Sequence, residues 1–87
     1  MQYPESSRFL KKAIQDKDIT QTRIAEILGF NNLQYVSNAA RGTCAIAPKH
    51  YKKLAKILSV DPFDFYYAYA TDHKNIILKK AGLWRSP

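Results

Sequence analysis

Gln34, Asn38 and Arg41 are the residues whose types and spacing most suggest chemistry. They lie in Q-Y-V-S-N-A-A-R, residues 34–41. At about 100° per residue, with Val36 marking the inward direction, all three fall within ~40° of the opposite direction. Ser37 lies beside them and Tyr35 on the other flank. This face would hold two amides, a hydroxyl, a phenol and a guanidinium. Such groups suit the edges of nucleic-acid bases. Asn and Gln can pair with the N6/N7 edge of adenine, Arg with guanine or a phosphate, and Ser with either. The plain alternative is a small polar helix face in water.

The elements that must position these groups run from Thr20 to Gly42. Ile24, Ala25, Ile27 and Leu28 give a first short helix an apolar side. Thr20 is a good N-cap, and Ile19 before it with Ile24 makes a hydrophobic staple. Arg23 stands where a capping-box Glu would sit. Ala25 is small where two helices must approach. Gly29 can take the left-handed conformation that ends a helix at low cost. Asn31 or Asn32 can cap the next helix, whose inward side gathers Val36, Ala39, Ala40 and Leu33, the last three within ~60° of Val36. Gly42 stops it. A helix, a glycine turn and a second helix on a basic chain have the shape of a helix-turn-helix.

Thr20-Gln21, Ile24-Ala25, Leu28-Gly29-Phe30, Val36 and Arg41-Gly42 occur in that order, followed by L-A-K-I-L-S-V at 54–60 and D-P-F-D-F. Over residues 7–67 the chain resembles the lambda-repressor/Cro-type helix-turn-helix family. Gly29 and Val36 are one residue further apart than in the tightest family pattern, which places the extra residue, Asn31 or Asn32, in the turn. The resemblance implies an all-α fold, a compact five-helix lambda-repressor-like DNA-binding domain over 1–70, with helix-turn-helix 20–42 and a C-terminal extension over 71–87. It also implies a recognition helix whose N-terminal half enters the major groove. Gln34, Tyr35, Ser37 and Asn38 are then the expected base contacts. Gln21 at the start of the preceding helix would bond a phosphate, as would Thr43 in the loop after the recognition helix. Arg23, Asn32, Arg41 and Lys49 complete the expected phosphate contacts.

Residues 1–5 read as a loose arm. Ser6 or Ser7 can cap a first helix to about Lys17, with Phe9, Leu10, Ala13 and Ile14 inward and Arg8, Lys11, Lys12 and Gln15 outward. Pro48 suits the first position of a fourth helix, to about Ser59, with Tyr51, Leu54, Ala55 and Leu58 inward. Asp61-Pro62 opens a fifth, to about Ala70. Its five aromatics, Phe63, Phe65, Tyr66, Tyr67 and Tyr69, exceed what one face can hide. In the tail, Asp72 can cap a short helix, or Ile76-Ile77-Leu78 can form a strand. Tyr66, Tyr69, Ile76, Ile77, Leu78 and Trp84 are the expected dimerisation residues, because family members usually bind as dimers.

Net charge is +7 over 87 residues. Residues 1–60 hold ten Lys/Arg against four acids, so the charge lies with the helix-turn-helix, as a phosphate-binding surface needs. No apolar run approaches the ~20 residues of a membrane span. The first eight residues have no apolar signal core. A single cysteine, Cys44, forms no internal disulfide, and a reduced, cytoplasmic setting is the default.

His50 and His73 lie in separate elements without ligand spacing, and no glycine-rich phosphate loop or carboxylate pair stands out. No enzyme activity, cofactor or metal is expected. The expected function is a sequence-specific regulator of transcription, a repressor binding double-stranded DNA as a homodimer on a palindromic operator, in the manner of phage and mobile-element regulators. The alternative is an antitoxin or other interaction module that covers a protein partner, such as a toxin, with helix five and the tail. A membrane role is not expected.

Overall fold

The computed structural model describes residues 2–83. Five α-helices run in order: α1 Pro4–Lys17, α2 Gln21–Leu28, α3 Gln34–Arg41, α4 Tyr51–Leu58 and α5 Pro62–Lys80, with a short 3-10 turn, Pro48–His50, before α4. Among the described residues there is no strand. None of the helices is long and apolar enough to cross a membrane.

The helices end where the backbone can turn. Thr20 caps α2 by accepting from the Arg23 N–H at 3.1 Å. Asp61 caps α5 by accepting from the Phe63 N–H at 2.9 Å. After α2, Gly29 takes φ +81°, its N–H bonds the Glu26 carbonyl at 3.1 Å, and the Phe30 N–H bonds the Ala25 carbonyl at 2.9 Å. That pair satisfies carbonyls the helix end would otherwise leave open. Gly42 closes α3 in the same way, with the Thr43 N–H on the Asn38 carbonyl.

The core is one cluster. Ile24 from α2, Val36 from α3 and Leu54 from α4 are completely enclosed, with Leu10, Ala25, Leu28, Ala39, Ala40, Ile46, Ala55, Leu58 and Phe65 around them. Phe65 meets Phe9 edge-on at 4.8 Å and stacks on Tyr51 at 5.6 Å. Leu33 departs from its expected inward place. It precedes α3 as a 42% exposed residue, because the helix begins only at Gln34 and Leu33 lies outside its angular sequence.

The two ends of the chain also depart from expectation. α5 does not stop near Ala70 but runs unbroken to Lys80, so the expected boundary at 70/71 falls inside a helix and Ile76-Ile77-Leu78 is helical. Asp72 caps no helix of its own. Its carboxylate is buried and accepts from the Glu5 N–H at 2.9 Å and the Ser6 N–H at 2.8 Å, so it caps α1 from across the molecule. Ser6 and Ser7 consequently lie inside α1 rather than at its cap. Ser7 is buried and donates to the Ala40 carbonyl at 2.6 Å. The expected loose arm is tied down as well, since the Gln2 and Tyr3 N–H groups both donate to the Gly42 carbonyl at 3.0 Å.

Asp72→Ala should therefore destabilise the fold by about 2 kcal/mol, since two partly buried N–H groups at the positive end of a helix lose a charged acceptor. For a chain of this size that is a fall in Tm of roughly 10 °C. Asp72→Asn, which keeps one acceptor oxygen, should lose less. Thermal unfolding followed by circular dichroism checks the order.

Candidate nucleic-acid interface

α3 is an eight-residue helix with two unlike sides. Val36, Ala39 and Ala40 are buried, and Ala40 also receives the Ser7 hydroxyl on its carbonyl. The small alanines let α1 and α2 come close, as does the buried Ala25 on α2.

The other side brings three of the predicted residues together. Gln34 and Arg41 are exposed and Asn38 is half-buried. The Gln34 Nε2 donates to Asn38 Oδ1 at 3.0 Å. The Arg41 Nη2 donates to the same oxygen. The result is a continuous polar row along the outer face, one turn per step. Thr43 extends it, with its hydroxyl donating to the Asn38 main-chain carbonyl at 3.0 Å. Asn32, exposed in the turn, accepts from the Gln34 N–H at 2.9 Å and so caps α3. Its side chain is already bonded to backbone, which makes it a positioning residue first.

Tyr35 is placed differently from expectation. Its hydroxyl donates to the Ala45 carbonyl at 3.2 Å and accepts from the Ala47 N–H at 2.8 Å. Its ring leans on Phe30 at 5.0 Å and lies 6.4 Å from His50. Tyr35 thus clamps the loop after α3 onto the helix, and both hydrogen-bonding capacities of its hydroxyl are engaged inside the protein. Ser37 is half-buried beside the row. The clamp escapes a helical-angle reading because its partners are backbone atoms ten and twelve residues away.

The other expected phosphate contacts lie on α2 and in the 3-10 turn before α4. Gln21 is half-buried at the first position of α2, next to the Thr20 cap. Arg23 is exposed and pairs with Glu26 at 3.3 Å, a surface pair of little strength that leaves the guanidinium available. Lys49 is exposed in the 3-10 turn, which Tyr35 and His50 tie back to α3. Arg8 and Lys12 on the outer face of α1 pair with Glu5 at 3.0 Å and Asp16 at 3.9 Å.

Along α5, Tyr66, Tyr69, Ile77 and Leu78 line one shallow groove with Ala70, His73 and Lys74. Tyr66 and Ile77 are half exposed. Tyr69 is stacked between Tyr3 and His73, at 6.1 and 5.9 Å. Ile76 is half-buried and does not line that groove. Trp84 lies outside the described residues. Phe63 and Tyr67, 64% and 61% exposed, belong to a neighbouring depression with Pro48, Tyr51 and Pro62.

Two titrating groups are shifted near the row. Burial pushes the Cys44 thiol up, away from the reactive thiolate. Burial, with added repulsion from Lys49 and Lys53, holds the His50 imidazole below its ordinary value of 6.5. Among the described residues no three His, Cys, Asp or Glu side chains gather as a metal site would need. No family model, curated protein or solved structure matches this chain.

Tyr35→Phe should lower stability by about 1 kcal/mol, the loss of a satisfied internal hydroxyl, while leaving any ligand preference of the row unchanged. Urea unfolding and a binding assay on the same variant separate the two. His50 sets a pH dependence. The unfolded chain takes up the proton more readily, so stability present above pH 6.5 should fall as pH drops below it. His50→Gln should flatten that acid limb in unfolding midpoints measured from pH 7.5 to 5.

Proposed function

We propose that this protein is a sequence-specific double-stranded DNA-binding regulator of the lambda-repressor-like helix-turn-helix kind. The observation that carries the reading is the row Gln34–Asn38–Arg41, which faces outward from a helix held to the fold by its opposite side. An α-helix with such a face fits the major groove, where amide and guanidinium groups meet base edges. Arg23, Arg41 and Lys49, with the backbone of the loop at Thr43, supply the phosphate contacts. Counterion release then provides much of the affinity and makes it fall steeply with salt.

A homodimer on a palindromic operator is the simplest working form. Two copies of α3 would lie about 34 Å apart, one turn of the duplex. The groove along α5 is the surface such a pair would share, and repression in the cytoplasm by occupying a promoter is the mechanism. A second reading is supported by a specific feature. Phe63, Tyr66, Tyr67, Ile77 and Leu83 are all more than half exposed, and four of them line two depressions that share Tyr66, the kind of apolar surface that marks interfaces. A protein partner such as a toxin, held there while α3 binds an operator, would use it.

Selection of bound duplexes from a random pool at near-physiological salt tests the first reading. A palindromic consensus supports it, and an unenriched pool overturns it. Given a consensus, Asn38→Ala should cost about 1–3 kcal/mol, concentrated at one base position. Lys49→Ala should weaken all duplexes alike and lower the slope of log affinity against log salt by about 1. Fluorescence anisotropy titrations over a salt series measure both.

A further inference from the structure

The wiring of the row restricts what Asn38 can say to a base. A free asparagine offers one acceptor oxygen with two lone pairs and one NH2 with two donors. It uses one of each to pair with adenine, accepting from N6 and donating to N7. Here the oxygen is already filled. Gln34 Nε2 and Arg41 Nη2 both donate to Asn38 Oδ1, two donors for an oxygen with two lone pairs. Asn38 Nδ2 carries no such obligation to either neighbour.

The two donors arrive from one turn before and one turn after, so the oxygen is bonded from both directions along the helix. Burial of the face against a duplex would strengthen these bonds by excluding water from them. Gln34 keeps its own oxygen and one amide hydrogen, so it retains the full adenine-reading pair. The two amides of the face are therefore not equivalent.

We propose that Asn38 reads its base pair as a donor alone, preferring guanine, whose O6 and N7 are both acceptors, then thymine through O4. Adenine is disfavoured because its N6 amino group would face the Asn38 amino group with no acceptor between them. Cytosine is disfavoured for the same reason through N4. Gln34 and Arg41 act on this position as positioning residues, by occupying the oxygen. The proposal rests on the DNA-binding reading above and deepens it.

The test is duplex selection with the wild type and three variants, the Asn38 position being the one whose preference disappears in Asn38→Ala. The wild type should enrich guanine, or thymine, there. Asn38→Asp keeps an oxygen for Gln34 and Arg41 but replaces the donors with an acceptor. It should bind the wild-type consensus roughly tenfold more weakly and turn the preference to cytosine, which donates from N4. Gln34→Ala frees one lone pair and should admit adenine at the Asn38 position, a change that loss of a merely structural contact would not produce. Adenine at that position in the wild type overturns the proposal while leaving sequence-specific DNA binding intact. Enrichment of nothing by the wild type overturns the DNA-binding reading, and this proposal with it.

Discussion

An eight-residue helix is too short to persist in water, because the cost of nucleating it is spread over few hydrogen bonds. α3 therefore exists only through its contacts, and everything proposed for this protein depends on which side makes them. Val36, Ala39 and Ala40 bury one side. The Gly29 and Gly42 turns, both at positive φ, close the helices before and after the turn without a Cβ penalty. Two alanines in succession matter because they admit the neighbouring helices closely and have almost no side-chain entropy to lose. The opposite side is left polar and outward by geometry alone.

Contacts from elements other than α2 hold the end of α3 as well. α5 supplies Asp72 to the first turn of α1, and α1 supplies Ser7 to Ala40. The Gln2 and Tyr3 N–H groups then fasten to Gly42. A buried carboxylate is costly unless its oxygens are bonded. Here the partners are free N–H groups at a helix N-terminus, where a negative charge is favoured. The C-terminal half of α5 is thereby tied to α1, and through α1 to α3. The chain of contacts runs from its groove side, through Tyr69 and Tyr3, to the end of α3. Whatever occupies the groove touches a helix that helps to hold α3 in place.

The face of α3 is a small hydrogen-bonded system, not a set of independent side chains. Gln34, Asn38 and Arg41 hold one another before any ligand arrives, so less side-chain freedom is lost when one does. Tyr35 works behind them, fixing the loop that leads to Lys49. Its hydroxyl holds the loop after α3 against the helix, apart from the polar row itself. The bonds within the row favour selectivity toward any ligand that uses it, because a mismatched partner must break existing bonds as well as fail to make new ones.

What the sequence determined by itself is whatever depends on near neighbours. The Thr20 and Asp61 caps, the Gly29 and Gly42 stops, the inward stripe of α1, and the outward direction of Gln34, Asn38 and Arg41 follow from spacings of a few residues. Helical period and capping chemistry act over that range. What only the tertiary structure decided involves partners far apart in the chain. Asp72 reads locally as a cap for its own segment, yet its partners lie 66 and 67 residues away. Tyr35 reads as a flank of the polar face, yet its hydroxyl is taken by a loop that folds back on it. Local sequence permitted α5 to continue past Ala70, since no proline or glycine occurs between Ala70 and Gly82, but its docking against α1 and α4 and the Asp72 bonds to α1 are tertiary. A hydrogen-bonding side chain has several possible partners within a few residues. Only the folded chain determines which distant backbone group arrives first.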